Sequence, residues 1–562
     1  MKTFWITFYS YKGGVGRSLA LANTAALLVQ RGRRVVLIDF DLEAPGLDSF
    51  EEFQSAAGKP GVVEYVSEFE KNKRAPDISQ FIHPCDLPGQ LRGKLWIMPA
   101  GKKDAAYNAC RAKLDWVSLY ERGIGEPFVE NWKAAITRHC QPDYVFVDSR
   151  TGLTDVAGIC TLHLPNLVVM VFGLNEQNVR GVAAVAKTIR ESDFTSLPQI
   201  HYVASPVPNL PRYKKSPLVQ RLAVATEELG TKAKSIIRYQ NIAALNERLF
   251  VLDPDLESSP LVEDYKSLLR SLIDYNRSGL DFLWSQAREA IESVDTSRMK
   301  RLVIALEQEY PDRADSLSYQ SQLKLALGEP HAAKALAQKS LEIDPIFEQS
   351  FDWLLEQYQR DKQFPEALSL CDTVLKVSDK LPPDRLSDIH DSRGAIAMAA
   401  GQYKAAIESF KFCLQNAKSG ESIPFILLIH TFNLAEALRR SGRKLRTNPW
   451  KEVITLFNKS GETSDAPLIM QANRWQAMHI PFALNGDIFR AREALAKARH
   501  AAELLGLAED IFTVKNYGEV PVKEFLKIND KMLAALNRGQ LWDGMLLPPE
   551  ASATKKSARN NI

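Results

Sequence analysis

Cysteine is scarce in this sequence. The six present, Cys85, Cys110, Cys140, Cys160, Cys371 and Cys413, are scattered, and no two form a CxxC pair. That spacing points away from a zinc site and fits the reduced thiols of a cytoplasmic protein. An excess of charge of one sign is also missing: 71 Lys and Arg stand against 68 Asp and Glu, a net charge of +3. There is thus no bulk electrostatic case for nucleic-acid binding. No apolar run approaches the roughly 20 residues of a membrane span. The first residues lead straight into a strand-like stretch, so no signal peptide is expected. Residues 551–562 are polar and basic and lack the apolar face of a membrane-anchoring helix. A disordered tail is expected there. The rest is ordinary for a globular chain, with 45% apolar and 25% charged residues, and 562 residues suffice for two to four domains.

What is present begins with Lys12-Gly13-Gly14-Val15-Gly16-Arg17-Ser18, between an apolar run (Phe4, Trp5, Ile6, Thr7, Phe8, Tyr9) and a helix-like run from Leu19. Strand, glycine-rich turn and helix make the context of a phosphate-binding loop. Glycines let backbone N–H groups turn inward on an anion, and the helix N-terminus adds its positive dipole end. A second apolar run, Val35-Val36-Leu37-Ile38, ends in Asp39-Phe40-Asp41, and a third, Tyr144-Val145-Phe146-Val147, ends in Asp148-Ser149-Arg150. Continuous apolar runs fit strands covered on both faces of a parallel sheet, where ligands sit at the carboxyl ends.

The lysine ahead of the glycines makes the loop resemble the deviant phosphate loop, KGGxGK[ST], of the ParA/MinD family of ATPases. The resemblance covers about the first half of the chain and implies a mostly parallel α/β sheet with flanking helices, binding ATP and Mg²⁺. Backbone groups of Gly13, Gly14, Val15, Gly16 and Leu19 would cradle the phosphates. Lys12 would be the lysine that reaches the partner's phosphates across an ATP-dependent homodimer. Ser18 would hold Mg²⁺ with Asp39 and Asp148, and Asp41 would activate the attacking water. Arg17 stands where the family has lysine, with the same charge in a broad planar fork, which implies slow hydrolysis. The loop after a late strand would contact the base, which makes Asn209 a candidate. Arg150 departs from the family pattern and is either a second phosphate-sensing cation or the partner of an acid such as Asp155. Arg212, Lys214 and Lys215 read as a solvated loop, with DNA contact the alternative.

The second half repeats. Gly328, Gly401, Gly442 and Gly486 punctuate helix-like stretches, with small residues (Ala333, Ala367, Ala406, Ala435, Ala491) and large apolar ones (Leu354, Tyr358, Phe410, Leu438, Leu495) between them. This resembles tetratricopeptide repeats, stacked helical hairpins that present a surface to a protein partner. The expected organisation is an ATPase domain at 1–280, a helical linker at 281–310, an all-α solenoid at 311–510, a helical cap at 511–550 and the tail. The function expected is an ATP-hydrolysing dimerisation switch that signals to a protein partner, with no membrane role. Its architecture resembles the signalling ATPases of bacterial anti-phage systems. A non-hydrolysing nucleotide-bound scaffold and a ParA-like partitioning ATPase are the alternatives. A tyrosine kinase of the same loop type is disfavoured, since residues 551–562 contain no tyrosine.

Overall fold

Alternation inside the apolar runs decides how the sheet is covered. In strand β2 (Arg34–Phe40), Val35 and Leu37 join one buried cluster, while Val36, Ile38 and Phe40 join another on the opposite face. Side chains of a strand point alternately to its two faces, so an unbroken apolar run needs cover on both. Helix α1 (Arg17–Gln30) and the helix Pro260–Ile273 supply it on the first face. The helices Val62–Asn72 and Gly125–Cys140 supply it on the second, where Trp132 packs with Phe40, Tyr65 and Phe128.

The computed structural model describes residues 3–89, 91–152, 158–194, 196–209, 216–244, 247–417, 424–442, 448–459, 467–505, 511–514, 518–541 and 543. Asp155, the cluster Arg212, Lys214 and Lys215, and the tail 551–562 lie outside them. These residues form two compact units that divide between Ile343 and Asp344.

The first unit holds an eight-stranded sheet. With β1 (Phe4–Tyr9), β3 (His83–Cys85), β4 (Lys94–Met98), β5 (Tyr144–Ser149), β6 (Leu167–Phe172), β7 (Gln199–Val207) and β8 (Ser235–Arg238), its order is β3-β4-β2-β5-β1-β6-β7-β8. All neighbours are parallel except β3, which pairs antiparallel with β4 at one edge. From β1 the chain crosses to β2 on one side, and β6, β7 and β8 build outward on the other. The winding therefore reverses beside β1, and ligands of open α/β sheets bind at such a point. The stretch from 216, helical by its pattern, contains β8. That strand is only four residues long and is fixed by distant contacts: His201 Nε2 meets Ser235 Oγ at 2.8 Å.

The helices Leu280–Glu292, Thr296–Glu309, Ala314–Ala326 and Pro330–Ile343 complete the first unit. A buried ion network ties them to the sheet. Arg33, 1% exposed, sits between α1 and β2 and donates from Nε to Asp281 at 2.7 Å and from Nη1 to Asp315. Arg313 donates to Asp315 at 2.8 Å and to Asp143, whose other oxygen accepts the Arg34 N–H at 2.8 Å.

The second unit runs through eight helices, from Glu348–Arg360 to Ile488–Leu504, each packed on the next. Alanines at 367, 397, 406, 435, 491 and 498 are fully buried between them. Gly394 meets Phe410 so closely that a Cβ would lie 2.6 Å from the ring. Residues 511–550, expected to be a helical cap, contain a two-stranded hairpin (Ile511–Val514 with Gly518–Pro521) before the helix Val522–Asn537.

One turn recurs between paired helices across both units. Gly328, Lys362, Gly401 and Gly486 have φ of 78°, 56°, 72° and 82°. The following N–H returns five residues in each case: Glu329 to Lys324, Gln363 to Tyr358, Gln402 to Ala397 and Asp487 to Phe482, at 2.8–2.9 Å. This is the Schellman cap, which favours glycine at the left-handed residue. Lys362 fills that position without one. Among the described residues, no helix is long and apolar enough to cross a membrane.

Candidate functional site

Parallel register assembles the site. β1 pairs with β5 so that Phe8 lies beside Asp148, and β2 pairs with β5 so that Asp39 lies beside Asp148. The three strands thus deliver the glycine loop and two carboxylates to one sheet edge. Gly14 and Gly16 both take φ of 76°, a left-handed conformation that a side chain would strain. Gly16 caps α1, and Arg17 is its first residue.

Arg17 is buried and forked across two acids. Its Nε donates to Asp148 at 2.5 Å and its Nη2 to Asp41 at 2.9 Å. Burial works to discharge the guanidinium, but Asp148 and Asp41 outweigh it and hold its pKa above the ordinary value. Asp39 turns the other way and accepts backbone N–H groups of Leu47 at 3.1 Å and of Asp41 and Gly46 at 3.2 Å. Burial, with Asp148 adding, pushes the Asp39 carboxyl up to about 8. Burial also raises Asp148, against the pull of Arg17 and of Ser18 beside it.

Two carboxylates therefore share one guanidinium in a dry place, with a third, Asp39, held beside them by backbone N–H groups. Asp148 Oδ2, Arg17 Nη1 and Ser10 Oγ are buried with no hydrogen-bond partner among the described residues. An orphaned carboxylate oxygen next to Ser18 fits a hard divalent cation, which prefers oxygen ligands, and an orphaned guanidinium nitrogen fits an anion. The residues present thus suit a phosphate and Mg²⁺ in chemistry and charge.

The other expected residues are placed as follows. Lys12 is exposed, and its ammonium donates to Gln177 at the start of the helix Glu176–Arg190. Leu19 packs partly buried against the α1 core. Arg150 pairs with Glu43 at 2.5 Å, and Glu43 also takes Arg111 at 3.1 Å. Asn209 lies exposed just past β7, in a cleft lined also by Lys234, Arg238 and Asp264, and not within the acid cluster. Glu43 and Gln177 were missed by sequence reasoning. The polar run Asn175-Glu176-Gln177-Asn178 directly after β6 was a usable signal for Gln177. Glu43, two residues past Asp41, had none.

A family model for the CobQ/CobB/MinD/ParA nucleotide binding domain matches residues 6–324. Among solved structures, the Pyrococcus furiosus cell division ATPase MinD is 15% identical, covering 49% of this chain and 99% of that one, with a TM-score of 0.37. The Pyrococcus horikoshii septum site-determining protein MinD, solved with Mg-ADP, is 15% identical over 48% and 96% of the two chains, TM-score 0.36. A Cyanothece McdA variant in complex with ATP is 13% identical over 48% and 96%, TM-score 0.38. No curated protein sequence matches.

Proposed function

The chain belongs to the CobQ/CobB/MinD/ParA nucleotide-binding domain family, and from that premise we propose that it is an ATP-dependent dimerisation switch acting on a protein partner. The observation that carries this reading is Arg17 clamped across Asp41 and Asp148. A triphosphate entering the glycine loop competes for that guanidinium through charge-assisted hydrogen bonds. Moving the fork onto phosphate releases Asp41, which then orients or deprotonates the attacking water. Ser18 and Asp148 would hold Mg²⁺, which when bound neutralises phosphate charge. Lys12, outside the acid cluster and exposed, would leave Gln177 to reach a second subunit's phosphates. Nucleotide binding and readiness to hydrolyse are thereby joined in one side chain.

The second unit is read as a tetratricopeptide-like solenoid that receives the partner. Support comes from the recurring cap, two instances of which, Gly328 and Lys362, are 34 residues apart, the period of such repeats. Under this reading the ATPase part runs through Ile343. The same clamp favours one other reading, a scaffold that binds nucleotide without turning it over because Arg17 never leaves Asp41. Two measurements on the purified chain decide between them: phosphate release from ATP, and mass by light scattering with ATP and Mg²⁺. Turnover together with an ATP-dependent doubling of the 63.0 kDa mass supports the switch. A dimer without turnover supports the scaffold. ATP binding with neither refutes the switch and leaves the scaffold.

A further inference from the structure

Away from the nucleotide loop, the second unit gathers a carboxylate, a thiol and an imidazole from three successive helices. Asp391 comes from Pro383–Ala399, Cys413 from Tyr403–Ala417 and His430 from Pro424–Arg440. One ligand atom from each lies within 4.8 Å of the other two. Asp391 Oδ1 and His430 Nδ1 are 3.3 Å apart, yet both atoms are buried without a hydrogen-bond partner among the described residues. The Cys413 thiol has a long contact, 3.6 Å, to the Ser387 carbonyl. Native proteins rarely leave buried polar atoms unmatched, and a cluster of them asks for a missing partner.

The identity of that partner follows from the donor set. Thiolate, imidazole and carboxylate together suit Zn²⁺, whose bonds to these groups are about 2.0–2.3 Å long and tetrahedral. Ligand atoms around such an ion stand about 3.3–3.8 Å apart. The Asp391–His430 pair already has that spacing, and the widest separation needs a closure of roughly 1 Å, within reach of side-chain rotation. The Asp391 side chain is 44% exposed and that of His430 12%, so one side of the cluster opens to water.

We propose that Asp391, Cys413 and His430 form a zinc site, completed by one water, that clamps these three helices together. Binding forms a Zn–S bond as the Cys413 thiol loses its proton to solvent, with no change of oxidation state. Scattered cysteines had pointed away from zinc because only one of the three ligands is a cysteine. The three are also spread over about 40 residues, with no motif spacing. The site is independent of the nucleotide reading, since none of its residues belongs to that loop.

The test uses the full chain, stripped with chelator and reloaded with zinc or cobalt alone. After desalting, elemental analysis should give one equivalent of zinc per chain. The cobalt form should show thiolate-to-metal charge-transfer absorption. Cys413→Ser should lose that band and at least tenfold in zinc affinity, whereas Ser18→Ala should keep both. The melting temperature of the wild type, but not of Cys413→Ser, should fall on adding chelator. If Cys413→Ser does not fold, Asp391→Asn and His430→Gln give the same readout from the more exposed side. Zinc content no higher than in these variants, or a cobalt spectrum without the thiolate band, overturns the proposal.

Discussion

Arg17→Lys keeps a positive charge at the start of α1 but removes the fork that joins Asp148 to Asp41. A lysine ammonium is a point charge and cannot hold both carboxylates in the same planar geometry. Asp148 is the nearer acid and keeps the cation, so Asp41 is released. A buried charge-assisted hydrogen bond contributes about 1.5–3 kcal/mol. If the Arg17–Asp41 contact must part before Asp41 can act, that cost stands inside the barrier to hydrolysis. At 1.36 kcal/mol per tenfold in rate, its removal accelerates turnover by roughly 10- to 150-fold. Affinity for ATP should stay within about threefold, because the charge facing the phosphates is conserved. Single-turnover phosphate release at saturating ATP measures the chemical step without product release. Asp41→Ala, alone and combined with Arg17→Lys, should abolish it. An unchanged or slower rate in Arg17→Lys, with ATP affinity intact, would show that the clamp is not part of the barrier, and the release mechanism fails.

Four other outcomes are expected. Lys12→Ala should leave ATP affinity intact but keep the Asp41→Ala protein monomeric with ATP, where Asp41→Ala alone runs near twice 63.0 kDa by light scattering. Arg33→Met strands the buried Asp281, leaves Asp315 with Arg313 alone and should cost about 3–5 kcal/mol in urea unfolding of the first unit, as breaking one side of a buried ion pair does. Gly394→Ala drives a methyl to 2.6 Å from Phe410 and should cost about 1–3 kcal/mol of second-unit stability, most of it restored by Phe410→Leu. His201 is held neutral, its pKa lowered from 6.5 to about 4 by burial with Lys234 adding. The unfolded chain takes up that proton first, so stability should fall as pH drops from about 6.5 toward 4, by about 1.4 kcal/mol per unit. His201→Gln should lose that slope between pH 6.5 and 5, measured as the difference in urea midpoints.

The parts of the site legible in the sequence are those written locally. The loop, Asp39, Asp41 and Asp148 each follow an unbroken apolar run, and the run itself specifies a strand buried on both faces. Parallel pairing then brings their ends together without further instruction. What Arg17 does was not legible, because its partners lie 24 and 131 residues away, and only the sheet order brings them together. The same holds for Glu43 on Arg150 and for His201 on Ser235. β8 escaped because four residues at a sheet edge carry too little pattern to separate from helix. The cap at Lys362 was hidden for a different reason: its backbone needs the conformation glycine favours, and the residue there is lysine. In the second unit the helices were legible, since small and large apolar residues recur at helical spacing. The meeting of Asp391, Cys413 and His430 was not, because it depends on how three helices are turned toward each other.

The network around Arg33 also bears on how this chain can be divided in the laboratory. Residue 280 is the natural place to cut if the sheet alone is wanted. That cut removes Asp281 and Asp315 together, and leaves a guanidinium in the interior with neither counter-charge. Arg313 goes with them, which frees Asp143 beside β5, while Arg33 itself borders the strand that carries Asp39 and leads into Asp41. A piece ending at 343 keeps all of these contacts. Fragments made to crystallise or assay the nucleotide loop should therefore carry the helices as far as Ile343, and an inactive shorter piece would speak of its missing carboxylates before it spoke of the loop.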